Sequence, residues 1–306
     1  MQRFRLTGLA VLGPVVAGLI FAVGCGGSKE SGEAEVKSEK SDKVEKKTAS
    51  ASGPKEELVS TGWGSLKGKV TFDGTPPERR KLDITQNKEV CEKGDTLDQT
   101  WKVGSDKGVA NVVIWLRAPK GTYFKVPDDM KKASMAKIDQ PFCAFEPHVS
   151  VLYPSYFDGK KQEKTGQELQ IDNSAPITHN TNYAAAEGYD STIVPSGNPM
   201  LPTKGHHDEG NIKACRDKQA GGEQLMIFKC NIHTWMRGYA WVFDHPYATV
   251  SKGDNGKNYG EYDIAKVPAG ADVEIVYWHE SMDKPKVLEK TKLKDGENTK
   301  DFTVSK

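Results

Sequence analysis

Beyond residue 60 the apolar residues come in short runs between turn formers, with no sustained helical period. Leu169 and Ile171 point one way and Gln170 and Asp172 the other, the alternation of a half-buried strand. Leu225-Met226-Ile227-Phe228 and Tyr239-Ala240-Trp241-Val242-Phe243 read as two further strands, and Val109 to Leu116 as a buried one. Residues 65–77 read as a strand running into a tight turn at Asp73-Gly74-Thr75-Pro76-Pro77. Tyr259–Ile264, Val267–Gly270 and Val273–Trp278 continue the pattern toward the C-terminus. No repeat of fixed period is present. The 30 glycines and 16 prolines agree with many short strands and turns, so the predicted class is all-β.

The first 60 residues follow another pattern. Arg3 and Arg5 precede an apolar stretch, Leu9 to Val23, that Gly13, Pro14 and Gly18 interrupt. It is short for a membrane-spanning helix. Ala22-Val23-Gly24-Cys25 then puts small residues before a cysteine, which resembles a bacterial lipobox. That implies a signal peptide over 1–25, acylation of Cys25, and a lipid-anchored protein on the periplasmic or extracytoplasmic face of a bacterial cell envelope. Residues 26–60 alternate lysines with acids and hold almost no apolar residue, so they cannot offset their ordering entropy by burial. They are expected to act as a disordered tether reaching on the order of 30 Å. Lys+Arg number 43 and Asp+Glu 42, which leaves no basic excess for a nucleic-acid partner.

The distinctive chemistry lies in Cys230-Asn231-Ile232-His233-Thr234-Trp235-Met236. A thiolate, an imidazole and a thioether fall within seven residues, on a tight loop between two predicted strands. About fifty residues upstream stands His179-Asn180, just past the alternating Leu169–Asp172 stretch. Two His, one Cys and a weakly bound Met form the ligand set of blue-copper centres. Thiolate and thioether favour the reduced ion, while imidazole suits both oxidation states. Zinc also accepts Cys and His, but a thioether is a poor zinc ligand. A two-copper centre needs a second loop cysteine, and this loop has none.

Cys-x-x-His-x-x-Met after one strand, followed by Arg237-Gly238 and another, resembles the cupredoxin family, with a loop spacing most like that of amicyanin or plastocyanin. The resemblance covers roughly residues 135–245 and implies a Greek-key β-sandwich over 126–245. It implies His179, Cys230 and His233 as equatorial ligands of one Cu(I)/Cu(II) ion and Met236 as the axial ligand. Asn180 is implied beside them, holding the loop and donating a hydrogen bond toward the Cys230 sulfur. It further implies one-electron transfer to unidentified redox proteins, with no enzymatic turnover. The electron portal would be the edge of His233, with Trp235 and Ile232 on the docking surface. The alternative is copper storage, or a scaffold lipoprotein without electron-transfer turnover.

The flanking segments, 61–125 and 246–306, resemble the two ends of a carboxypeptidase-regulatory-like β-sandwich. They carry Gly68-Lys69-Val70-Thr71-Phe72-Asp73-Gly74 at one end and Gly260-Glu261-Tyr262-Asp263-Ile264 with Val267-Pro268-Ala269-Gly270 at the other. They are expected to close into one second sandwich around the inserted copper region. An oxidising compartment allows a disulfide. Cys91 with Cys143 is the first choice, and Cys215 could pair with either. His148 is a candidate contact near the copper loop. His206 and His207 are expected in an exposed loop, and His245 and His279 in structural roles.

Overall fold

The computed structural model describes residues 55–214, 222–253 and 258–306. The signal segment with Cys25, residues 26–54 of the expected tether, and Cys215 lie outside the described residues. The end of that tether is corrected, because Glu56–Leu58 forms a strand paired in parallel with Thr122–Phe124. Among the described residues the structure is all-β, apart from a one-turn helix at Lys88–Cys91 and a 3-10 turn at Asp128–Met130. No helix among them is long and apolar enough to cross a membrane.

The four sheets of three or more strands stack in layers. The first pairs His206–Glu209 with Leu169–Asp172 and, in parallel, Ala136–Ile138. The second runs Asn182–Ala185, Gln224–Lys229, Arg237–Val242, Val149–Leu152; only the last pairing is parallel. The third runs Ala248–Val250, Val113–Arg117, Asp272–Trp278, Lys286–Lys292, antiparallel throughout. In the fourth, Gly62–Phe72 pairs antiparallel with Glu261–Ala269 and parallel with Gly296–Thr299 and Phe302–Val304. The segments before residue 126 and after residue 245 thus share the third and fourth sheets.

Period-two alternation explains the stacking. In Arg237–Val242, Ala240 and Val242 face the first sheet; with Met226 and Phe228 of the neighbouring strand they pack on Ile138, Leu169 and Ile171. Tyr239 and Trp241 point the other way, against Trp115, Val276 and Trp278 of the third sheet. On that sheet Ile114, Leu116, Val273 and Ile275 turn outward to meet Leu66, Val70, Tyr262 and Val267 of the fourth. The central strands of the two inner sheets, Val113–Arg117, Gln224–Lys229 and Arg237–Val242, are covered on both faces and read as nearly continuous apolar runs.

One stretch of the N-terminal flank leaves its sandwich. Ile84 and Cys91 belong to the core between the first two sheets, with Leu82 packed on it. A disulfide joins Cys91 to Cys143, 52 residues along. Closing a loop of that size restricts the unfolded chain by about 4 kcal/mol in the chain-entropy account. His206 and His207, expected in a loop, form a strand instead, paired with Asp172 and Ile171.

His245 and His279 are buried, and loss of solvation holds each imidazole down at about 4. His245 Nδ1 accepts the Tyr247 N–H, and His279 Nε2 donates to the Thr100 carbonyl at 2.7 Å. Their folded-state values lie below the ordinary histidine value near 6.5, so the unfolded chain takes up protons first as pH falls. Their stabilising effect is complete above about pH 6.5 and is lost toward pH 4, by on the order of a few kcal/mol in all. Urea midpoints measured across that window should fall with pH. His245→Phe, in a pocket of Phe124, Phe243 and Tyr247 rings, should make the slope shallower.

Candidate metal centre

Hydrogen bonding between strands Gln224–Lys229 and Arg237–Val242 leaves Cys230 to Met236 as the loop at their end. The Met236 N–H donates to the His233 carbonyl at 2.9 Å and closes a tight turn. Just beyond the loop, Gly238 faces Phe145; a Cβ there would meet Phe145 Cβ at 2.9 Å, so only glycine lets that ring sit under the loop without a shift. Leu169–Asp172 stops short of His179. His179–Asn180 instead forms its own short strand with Met200–Leu201, which carries the imidazole over the loop.

His179, Cys230 and His233 converge. His179 Nδ1 and His233 Nδ1 are 3.0 Å apart, and Cys230 Sγ is 3.8 Å from each. A point in the plane of these three atoms lies about 2.1 Å from all of them, close to metal bond lengths of about 2.0–2.3 Å for imidazole nitrogen and thiolate sulfur. All three side chains are buried, and so is Met236. Desolvation, with the neighbouring His233 ring, lowers His179 to about 4, and desolvation lowers His233 as well. Both rings are therefore neutral near pH 7 and can offer lone pairs. His179 Nε2 is buried without a hydrogen-bond partner among the described residues. The donor set fits a soft or borderline transition metal.

Asn180 does hold the loop: its Oδ1 accepts the Asn231 N–H at 2.8 Å. Its expected donation to sulfur is corrected, because Oδ1 rather than Nδ2 faces Cys230 Sγ, at 3.4 Å, and Nδ2 is turned to Asn198 Oδ1. The amide that does point at the sulfur is the His233 backbone N–H, at 3.4 Å.

The expected open edge of His233 is also corrected, since the ring has no exposed surface. Asn87 covers it, with Oδ1 3.0 Å from His233 Nε2. The Cys91 and Cys143 sulfurs lie within 4.8 Å of a His233 ring nitrogen. Gln86, from the same segment, donates to the Ile232 carbonyl at 3.3 Å. Sequence reasoning missed this cover, because nothing in Gln86-Asn87-Lys88 sets it apart from a surface turn. Trp235 and Ile232 are half-buried against the core, and the Trp235 ring stands edge-on to His233, centroids 5.3 Å apart. His148 is bonded to Glu280 at 2.7 Å and lines a cleft of about 410 Å³ with Thr234, Trp235 and Arg237.

No protein-family model and no curated protein matches the chain. Among solved structures it is similar to a reduced amicyanin variant, at 16% identity over 42% of this chain and 98% of that one, with a TM-score of 0.23. It is also similar to a purple cupredoxin from Nitrosopumilus maritimus, at 14% identity over 35% of this chain and 98% of that one, with a TM-score of 0.23. A Cu-containing nitrite reductase from Thermus scotoductus SA-01 aligns at 13% identity over 35% of this chain, with a TM-score of 0.24. There the chain spans 22% of the reductase's length.

Proposed function

We propose that the protein is a type 1 copper protein that carries single electrons at the bacterial cell envelope, tethered through a lipid on Cys25. The observation that supports it is the convergence of two imidazole nitrogens and one thiol sulfur, from sites fifty residues apart, around a point at metal-bonding distance. His179, Cys230 and His233 would hold the ion, with Met236 as the weak fourth ligand. The bound ion supplies a one-electron couple. The chain supplies a dry, pre-set ligand frame that changes little as charge moves, which suits transfer rather than substrate chemistry. Because the His233 edge is covered, electrons pass through Trp235, and Trp235 with Ile232 forms the surface that meets redox partners.

Copper-loaded protein should show an intense thiolate-to-copper band and a narrow copper hyperfine splitting in its electron paramagnetic spectrum. A pale protein with ordinary copper splittings would reject the assignment. Met236→Leu should keep the colour and raise the reduction potential, since the thioether donates to Cu(II). Voltammetry reads this directly, and a lowered potential would remove Met236 from the ligand set.

A further inference from the structure

His233 is gripped from both sides. Its Nδ1 faces Cys230 Sγ and His179 Nδ1, while its Nε2 faces Asn87, 146 residues earlier in the chain. A nitrogen that binds metal must present a lone pair, so the proton of a neutral ring must sit on the other nitrogen. That other nitrogen is buried and needs an acceptor. The Asn87 amide oxygen supplies it, whereas the amide nitrogen in its place would set N–H against N–H.

The position of Asn87 is itself held. Its backbone is left-handed, with φ 49°, a conformation that asparagine tolerates better than most residues. It caps the one-turn helix Lys88–Cys91, whose last residue is pinned by the disulfide to Cys143. On its other side, Gln86 is bonded to the loop at Ile232. Three attachments within six residues therefore fix one amide oxygen over one ring nitrogen.

We propose that Asn87 is the positioning residue for His233: it accepts the Nε2–H, fixes the tautomer that offers Nδ1 to the metal, and closes the ring edge to water. The inference deepens the copper reading and rests on it. It assigns a role at the centre to a segment outside the region that resembles cupredoxins.

The test is solvent exchange of the His233 Nε2–H, followed by nuclear magnetic resonance on the metal-free full chain with labelled histidine. Asn87→Gly is the informative variant, because glycine accepts the positive φ without strain. Asn87→Asp keeps an acceptor oxygen. Gln86→Ala loosens the same segment without touching the ring. The native proton should exchange slowly, Asn87→Gly should speed exchange by roughly tenfold or more, and Asn87→Asp and Gln86→Ala should stay near the native rate. Unchanged exchange in Asn87→Gly overturns the proposal. So does an aspartate variant no better than glycine, or a Gln86→Ala variant as fast as Asn87→Gly. Copper uptake is scored separately. Native protein that binds no copper defeats the metal reading, whereas the exchange rates report on Asn87 alone. If copper binds, Asn87→Gly should weaken it roughly 10–100-fold, as loss of a partner behind a ligand does elsewhere.

Discussion

Replacing Cys230 with serine should abolish the visible band of the copper-loaded protein completely while leaving the fold in place. The colour of such a centre comes from charge moving between thiolate sulfur and copper, and a hydroxyl oxygen supplies no such orbital. The fold should survive because a serine hydroxyl can donate to Asn180 Oδ1 as the thiol does, and the surrounding core contacts, Met226, Phe228 and Met236 among them, are untouched. Thermal unfolding gives a second readout. A ligand that binds only the folded state adds about 2.7 kcal/mol at one hundred times its dissociation constant. Copper should raise the native midpoint accordingly, and the serine variant should gain far less. A Cys230→Ser protein that stays coloured would show that another group carries the transition, and the assignment would fall.

The loop was legible because its chemistry is local. Cys230, His233 and Met236 fall within seven residues, and no ordinary core or surface need explains that combination. His179 was legible from residue type and order alone, and its geometry comes from a two-residue pairing with Met200–Leu201 that no periodicity announces. The central strands of the inner sheets were readable as apolar runs, yet the runs could not say which layer each face meets. The cover over His233 was not legible. Asn87 and Gln86 act through single polar atoms across more than a hundred residues, and polar surface residues in a turn look alike whether or not they touch a ligand. Asn180 shows the same limit at closer range. Residue identity placed it at the site, but which amide atom faces the sulfur depends on the competing partner Asn198.

The layered core sets the second large expectation: Trp241→Ala should destabilise the whole chain by about 3–5 kcal/mol, a large share of the 5–15 kcal/mol typical of a folded domain. Trp241 is fully buried between the second and third sheets. Its ring lies 4.9 Å from Trp115, 5.4 Å from Tyr189 and 5.6 Å from Trp278, centroid to centroid. Trp115 and Trp278 come from the strands of the flanking segments, so truncation opens a cavity between the layers that carry the Cys230–Met236 loop and the rest. Trp241→Phe should cost much less. It retains most of the packing and removes an indole N–H that has no partner among the described residues. The metal loop should keep its spectrum in whatever fraction stays folded, because the neighbouring Ala240 and Val242, which serve the metal-side core, face the other way. Denaturation followed by tryptophan fluorescence and by the copper band together decides the point. Coincident transitions, both shifted, mean that the tryptophan layer joins the metal half to the flanks in one cooperative unit. A copper transition that stays put while fluorescence shifts would mean that the metal-bearing sheets stand without the layer behind them.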